Sequence, residues 1–332
     1  MANSKEQILP DNGSRFLTYA DHMRRLFGGR VQKLSVDAGF TCPNRDGRVG
    51  TGGCTFCLNE AFNPSYCRRV ATIKEQIEEG MAFHRNRYRK ASKYLAYFQT
   101  FSNTYASLSE LQRKYAEALS CPGVVGLVIG TRPDCVDDDV LALLTEISTK
   151  HFVAVEYGIE SCYDATLHRI NRGHTFNDAI RAVQLTVDRG LPVGGHFILG
   201  LPGESREMLV SQVDAINAMP LTSIKFHQLQ VLKGTTLHRQ CLSEPQFETS
   251  MLHFDIDSYV ALVCDIVERL RPDLAIERLA GEVPPRYQAF QERSFRRPDG
   301  SLLRNEDIPR LVNIELSRRG SRQGRLYGKT EE

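Results

Sequence analysis

What most constrains the fold of this chain is an alternation of two hydrophobic periods. From Val31 onward, short apolar runs take turns with longer amphipathic stretches. Residues 31–36, 94–99, 124–129, 152–159, 192–201 and 223–232 read as strands. The run VVGLVI at 124–129 is apolar throughout, as a strand buried on both faces requires. Residues 72–88, 107–119, 137–150, 175–189, 205–219 and 257–270 carry apolar side chains at helical spacing. SLSE at 107–110 has the form of a capping box, and Gly190 closes the helix that ends at Arg189. Repetition of this kind builds a parallel sheet with helices outside it. About six units, counted from the strand at 31–36, predict an α/β fold, a partial (β/α)6 barrel of the TIM type. In such barrels the chemistry gathers at the C-terminal ends of the strands. A helical stripe at 14–27 precedes the first strand, and beyond about Ala280 the alternation fades.

Directly after the first strand the chain reads CPNRDGRVGTGGCTFC, from Cys42 to Cys57. The three cysteines have spacing C-x11-C-x2-C. Thiolates are soft ligands that suit zinc or iron–sulfur centres. A structural zinc site is normally closed by four protein ligands, and here the fourth would have to be Cys67 or something distant. Three thiols with one open position match a four-iron, four-sulfur cluster that binds a further ligand directly. Phe56, between the last two cysteines, would shield such a cluster. The plain alternative is a set of buried reduced thiols.

Other polar motifs also follow strands. Arg132, in GTRPD at 130–134, could fork onto a carboxylate, or simply pair with Asp134 or Asp137. Glu160 ends the fourth strand and Arg172 lies twelve residues on, in INRGH at 170–174. Together they could hold the two ends of an amino acid, or form a structural ion pair. HFILGLPGE at 196–204 is an apolar strand that runs into a glycine–proline turn, in which Glu204 starts the next helix. His227 and Gln228 lie within the last strand, where a lone histidine is ordinarily a satisfied core residue.

With 332 residues, 41% hydrophobic and 25% charged, the chain has the composition of a globular protein. No apolar run approaches the roughly 18 residues of a membrane span, and the N-terminal stretch lacks the apolar core of a signal peptide. Nine cysteines in such a chain imply reduced thiols and a cytoplasmic location. The net charge of +2 neither demands nor excludes nucleic acid. Two local clusters, HRNRYRKASK at 84–93 and the arginine-rich tail, could face phosphates or be solvated surface.

The cysteine loop, TRPDC at 131–135, GIES to INRGH at 158–174 and HFILGLPGE together resemble the YhcC-type radical S-adenosylmethionine (SAM) family. INRGH and GLPGE are also similar to the radical domain of elongator-type enzymes that modify wobble uridines in tRNA. The likeness runs from about Gly28 to at least Lys233. It implies that Cys42, Cys54 and Cys57 hold a 4Fe–4S cluster with SAM on the open iron. An electron, from a donor such as flavodoxin or ferredoxin, would cleave SAM to a 5′-deoxyadenosyl radical that abstracts hydrogen from substrate. By motif position Glu160 and Arg172 would contact the methionine end of SAM, Gly200 and Leu201 the adenosine. Arg132 and His196 are further candidates. The resemblance points to a core barrel at 14–235, after a disordered lead at 1–13, with an extension at 236–332 that packs on the barrel and ends in the basic tail. It suggests tRNA as substrate; a small metabolite, a protein side chain, or a non-catalytic metal-binding module are the alternatives. Two departures stand out: the family's more familiar first gap is three residues rather than eleven, and Gly130 replaces an acidic residue common in the elongator pattern.

Overall fold

The computed structural model describes residues 13–67, 71–87, 91–297, 299–304 and 306–329. Seven strands form one sheet: β1 Val31–Val36, β2 Lys93–Phe98, β3 Val124–Thr131, β4 Phe152–Glu160, β5 Val193–Leu199, β6 Ser223–Gln228 and β7 Ala275–Arg278. They lie in chain order and every neighbouring pair is parallel. Helices cover the outside: α1 Tyr19–Phe27, α2 Ile73–Arg87, α3 Leu108–Leu119, α4 Asp138–Ser148, α5 Asp164–Arg169, α6 Phe176–Val187, α7 Arg206–Ala218, α8 Thr236–Ser243, α9 Pro245–Thr249, α10 Ile256–Arg269 and α11 Asp307–Arg318. The sheet curls into a half-barrel with β1 and β7 at its edges. That is one strand more than the alternation predicts. AIER is four residues long and half polar, too short to show a period of two. The expected disordered lead lies outside the described residues apart from Gly13.

The helices begin where the caps dictate. Ser107, Asp137, Thr175 and Ser205 each accept a hydrogen bond from the backbone N–H three residues on, which satisfies an orphan donor of the first turn. Thr175 and Asp178 complete a reciprocal capping box. Outward strand residues such as Leu34, Leu127, Val155 and Ile224 are fully buried against these helices. Each contributes about 1.5–3 kcal/mol by leaving water.

The inner face of the half-barrel is layered. At the N-terminal end of the strands, Leu95, Val128 and Ala154 pack on Met23 of α1, which plugs that end. Above them sits a ring of charge made by Lys33, Glu156, Lys225 and Glu277, one each from β1, β4, β6 and β7. The C-terminal strand ends, and the loops after them, form the third layer.

Candidate active site

The eleven residues between Cys42 and Cys54 fold into a compact excursion that brings the chain back to its start. Cys42 O accepts from Arg45 N (2.9 Å), Pro43 O from Val49 N (2.9 Å), and Asn44 O from Gly53 N (2.8 Å). The excursion is then fastened to the INRGH loop. Asn44, wholly buried, donates its Nδ2 to Asn171 O at 2.6 Å. Asn171 returns its own Nδ2 to Gly53 O at 2.9 Å, and Thr55 N donates to Ile170 O at 2.9 Å. The long first gap therefore costs the thiols no proximity. Cys42, Cys54 and Cys57 all line one cavity of about 230 Å³ at the strand ends. Burial, and the sulfur of Cys54 beside it, push the Cys57 thiol up to about 11.

The end of β4 lines the same cavity. A bulge leaves Ile159 as an extra residue, with Gly158 opposite His196 and Glu160 opposite Phe197. Glu160 itself has φ +72°, a left-handed conformation that costs a non-glycine residue energy and is typically kept at functional sites. Its carboxylate lies 3.4 Å from Arg172 Nη2. The guanidinium also donates to Gly158 O (2.5 Å), to His174 Nε2 (2.9 Å) and toward Cys54 Sγ (3.4 Å). A Cβ at position 158 would come within 2.6 Å of Glu160 Oε1 and 2.7 Å of Arg172 Nη2, so glycine is what lets the pair sit over the strand. Burial and the charge of Arg172 drive His174 down to about 3, so it accepts from Arg172 as a neutral ring.

The other expected residues divide. Phe56 and His196 line the cavity. Arg132 does too, but its fork is taken by Asp134 at 2.8 Å on both oxygens, and its third nitrogen donates to Arg172 O at 2.8 Å. The Asp134 carboxylate thus occupies the fork, and Arg132 braces the Arg172 loop. Gly200 and Leu201 are absent from the described cavity wall. Leu201 is fully buried with Leu167, Ile170 and Phe56, and Phe254 packs over Gly200; Ile198 and Leu229 supply the apolar wall instead.

The charged layer beneath the cavity escaped sequence reasoning. Lys33 Nζ reaches Glu156 at 2.5 Å and Glu277 at 2.6 Å, while Lys225 Nζ reaches them at 2.6 and 3.1 Å. His196 Nε2 lies 2.9 Å from the same Glu156. Both lysines stack over the Tyr97 ring, at 5.1 and 4.5 Å. Glu156 is held well below the usual carboxylate range. Its burial works against that, but the two ammonium groups and the histidine outweigh it. The available signal was a charged residue within each of four strands, Lys33, Glu156, Lys225 and Glu277.

Of the basic clusters, residues 88–90 and the side chains of Asn86 and Arg87 lie outside the described residues. His84 packs edge-on against Tyr66 and Phe83, and Lys93 donates to Phe27 O at 2.9 Å. In the tail, Arg293 pairs with Glu248, Arg297 with Asp307, Arg318 with Glu315, and Arg319 with Asp265, Glu268 and Glu315. Much of that positive charge is spent inside the molecule.

The donor set fits an iron–sulfur cluster. Three thiols share one wall with a nearby acid and guanidinium. Among the described residues no group of three or more His, Cys, Asp or Glu side chains is arranged to hold a single metal ion. A parallel half-barrel whose first strand leads into three such thiols suits a cluster with an open position. Comparison with known proteins agrees. Residues 45–215 match the Radical SAM superfamily and residues 221–296 its C-terminal domain. YtqA of Bacillus subtilis is 35% identical over 96% of this chain and 94% of its own length. YhcC of Escherichia coli K12 is 36% identical over 79% and 82%. A stretch of 118 residues, 34% of this chain, is 36% identical to 21% of the tRNA uridine(34) acetyltransferase of Methanocaldococcus infernus. The solved structure of the archaeal Elp3 of that organism, N-terminally deleted, superposes over 90% of this chain and 67% of its own, with TM-score 0.64 at 16% identity. This chain belongs to the radical SAM superfamily. It is an enzyme of that class, and its cofactors are a 4Fe–4S cluster and SAM. All nine cysteines are free thiols, and no described helix is long and apolar enough to cross a membrane.

Proposed function

We propose that this enzyme acts on the side chain of a wobble uridine in tRNA, in the cytoplasm, with a small iron–sulfur or flavin protein as electron donor. What carries the reading is the 36% identity to a tRNA uridine(34) acetyltransferase over a third of the chain. In this reading Cys42, Cys54 and Cys57 hold the cluster. The cluster and SAM together supply one-electron cleavage and hydrogen-atom abstraction. The protein's part is placement. Glu160 and Arg172, held over Gly158, meet the amino and carboxylate ends of the methionine group. Arg172 also donates toward Cys54 Sγ, 3.4 Å away. Phe56, Ile198 and Leu229 keep water from the reacting centre.

The test is nucleoside mass spectrometry of total tRNA from a strain that lacks the gene. One wobble-uridine derivative should disappear and its precursor accumulate, and the wild-type gene should restore it where a Cys54→Ala copy does not. An unchanged nucleoside profile sinks the tRNA reading and leaves the radical class untouched.

A further inference from the structure

The edge strand β7 carries a bulge of its own. Ile224 pairs with Ile276 but Lys225 pairs with Arg278, so Glu277 is the extra residue. A regular strand would send Glu277 and Arg278 to opposite faces; the bulge lets both serve the barrel interior. Glu277 is consumed by the two lysines. The Arg278 guanidinium has no hydrogen-bond or ion-pair partner among the described residues, although it lines the reaction cavity. The layer below is balanced without it, two ammonium groups against two carboxylates, so the charge of Arg278 is surplus to that layer.

Arg278 also lines a second cavity, of about 710 Å³, walled by the segment after β7 with Phe290 and Phe295. The two cavities share eight lining residues, among them Gln99, Gln228, Gln230, Arg278 and Gly281, so this arginine stands on the boundary between them. The junction is built with care. Gln228 and Gln230 both donate to Gly281 O, at 2.9 and 3.1 Å, and Gly281 N donates back to Gln228 Oε1 at 2.7 Å. A Cβ on Gly281 would lie 2.7 Å from His227 Nδ1. Gln230 thereby turns its Oε1 away from the clamp, where it is buried with no partner. One unpaired guanidinium and one unpaired acceptor thus stand at the passage between the two spaces.

We infer that substrate reaches the reaction cavity through the second one, and that Arg278 binds an anionic group on it. That group is a carboxylate or a phosphate, and Gln230 Oε1 accepts from an N–H or O–H beside it. A guanidinium suits both anions through its fork geometry. A uridine bearing an anion offers both features, its imide N–H being the donor. The choice of nucleosides as probes, though not the anion site itself, rests on the tRNA reading.

Reconstituted, SAM-bound enzyme is titrated anaerobically by calorimetry with uridine, uridine 5′-monophosphate, 5-carboxymethyluridine, acetate and inorganic phosphate. The comparison is between wild type, Arg278→Gln and Arg278→Lys, with iron content and melting temperature as checks on folding. One anionic nucleoside should bind about tenfold or more tightly than uridine to wild type, as a hydrogen bond to a charged group provides. That margin should vanish in Arg278→Gln, survive in part in Arg278→Lys, and leave uridine's own affinity unchanged. Preference for the monophosphate identifies the backbone phosphate; preference for the carboxymethyl compound identifies a carboxylate on the base. If only acetate or phosphate binds, and does so through Arg278, the anion site stands and the nucleoside reading falls. If uridine binds as well as its anionic analogues, if the margin persists in Arg278→Gln, or if no anion binds, the inference about Arg278 is overturned.

Discussion

Glu204 is a single side chain that ties two strand ends together. Ser161, one residue beyond β4, donates to its Oε1 at 2.6 Å, while Oε2 is buried without a partner. Burial pushes this carboxyl up to about 7. Its ordinary value is 4.5. The folded protein therefore holds the proton more tightly than the unfolded chain does, and the stability this gives is complete below pH 4.5. It is lost as the pH rises through about 7. A shift of that size corresponds to about 3 kcal/mol. Urea unfolding of the wild type should thus weaken across that window relative to Glu204→Gln, which has no proton to lose. Parallel curves for the two proteins would refute the assignment. The sequence shows Glu204 at the head of a helix after a glycine–proline turn, and Cys42, Cys54, Cys57, Glu160 and Arg172 as a chemical set. Each of those stands in a short local motif. The partners Lys33, Glu156, Lys225 and Glu277 stand alone in four different strands, and only folding assembles them.

Among the elements, the loop of Cys42 to Cys57 depends on another loop more than 100 residues away, fastened through Asn44 and Asn171. Six of the seven strands and the longer helices between them were legible to within a few residues, since each carries its own period; β7 and short helices such as α5 and α9 are too brief to show one. The zipper was not, because Asn44 and Asn171 look like ordinary loop residues until the strands set them side by side. Their bonds join distant segments and are half-buried, and Asn44 itself is wholly buried, so Asn44→Ala should cost about 1–3 kcal/mol for an Asn171 carbonyl left without its donor. That is a drop in melting temperature of several degrees. Loss of function should be larger than that loss of stability implies. The variant should reconstitute with fewer irons per chain than wild type, even well below its melting temperature. Wild-type iron content in Asn44→Ala would mean that the thiols are positioned by β1 and their own turn, without the zipper.

At the scale of the whole molecule the problem is an open barrel. Strands β1 and β7 are the sheet's two edges, and a half-barrel must hold them together without a shared ladder. The N-terminal segment helps from outside. Ile276 N donates to Leu17 O, Leu17 N donates to Gln323 Oε1, and Gln323 Nε2 reaches the carbonyls of Arg271 and Leu274. The two ends of the chain thereby clasp β7, a closure that no local pattern announces. Inside, the link is Lys33, whose ammonium joins β1 to Glu277 of β7 and to Glu156 of β4, beneath the Tyr19 ring at 4.3 Å. Lys33→Met would leave Glu156 and Glu277 to share Lys225 as their one ammonium partner, an excess of negative charge in a buried layer. Breaking such a network by removing one partner costs about 3–5 kcal/mol. The double variant Lys33→Met/Glu277→Gln restores the balance of charge though not the link, so it should recover part of that loss in denaturant unfolding. Because β1 delivers the cysteine loop, Lys33→Met should also lower iron content, and the double variant should raise it again. A single variant as stable as wild type would show that the edges are held from outside alone. A double variant no better than the single would show that the lysine acts by shape rather than charge.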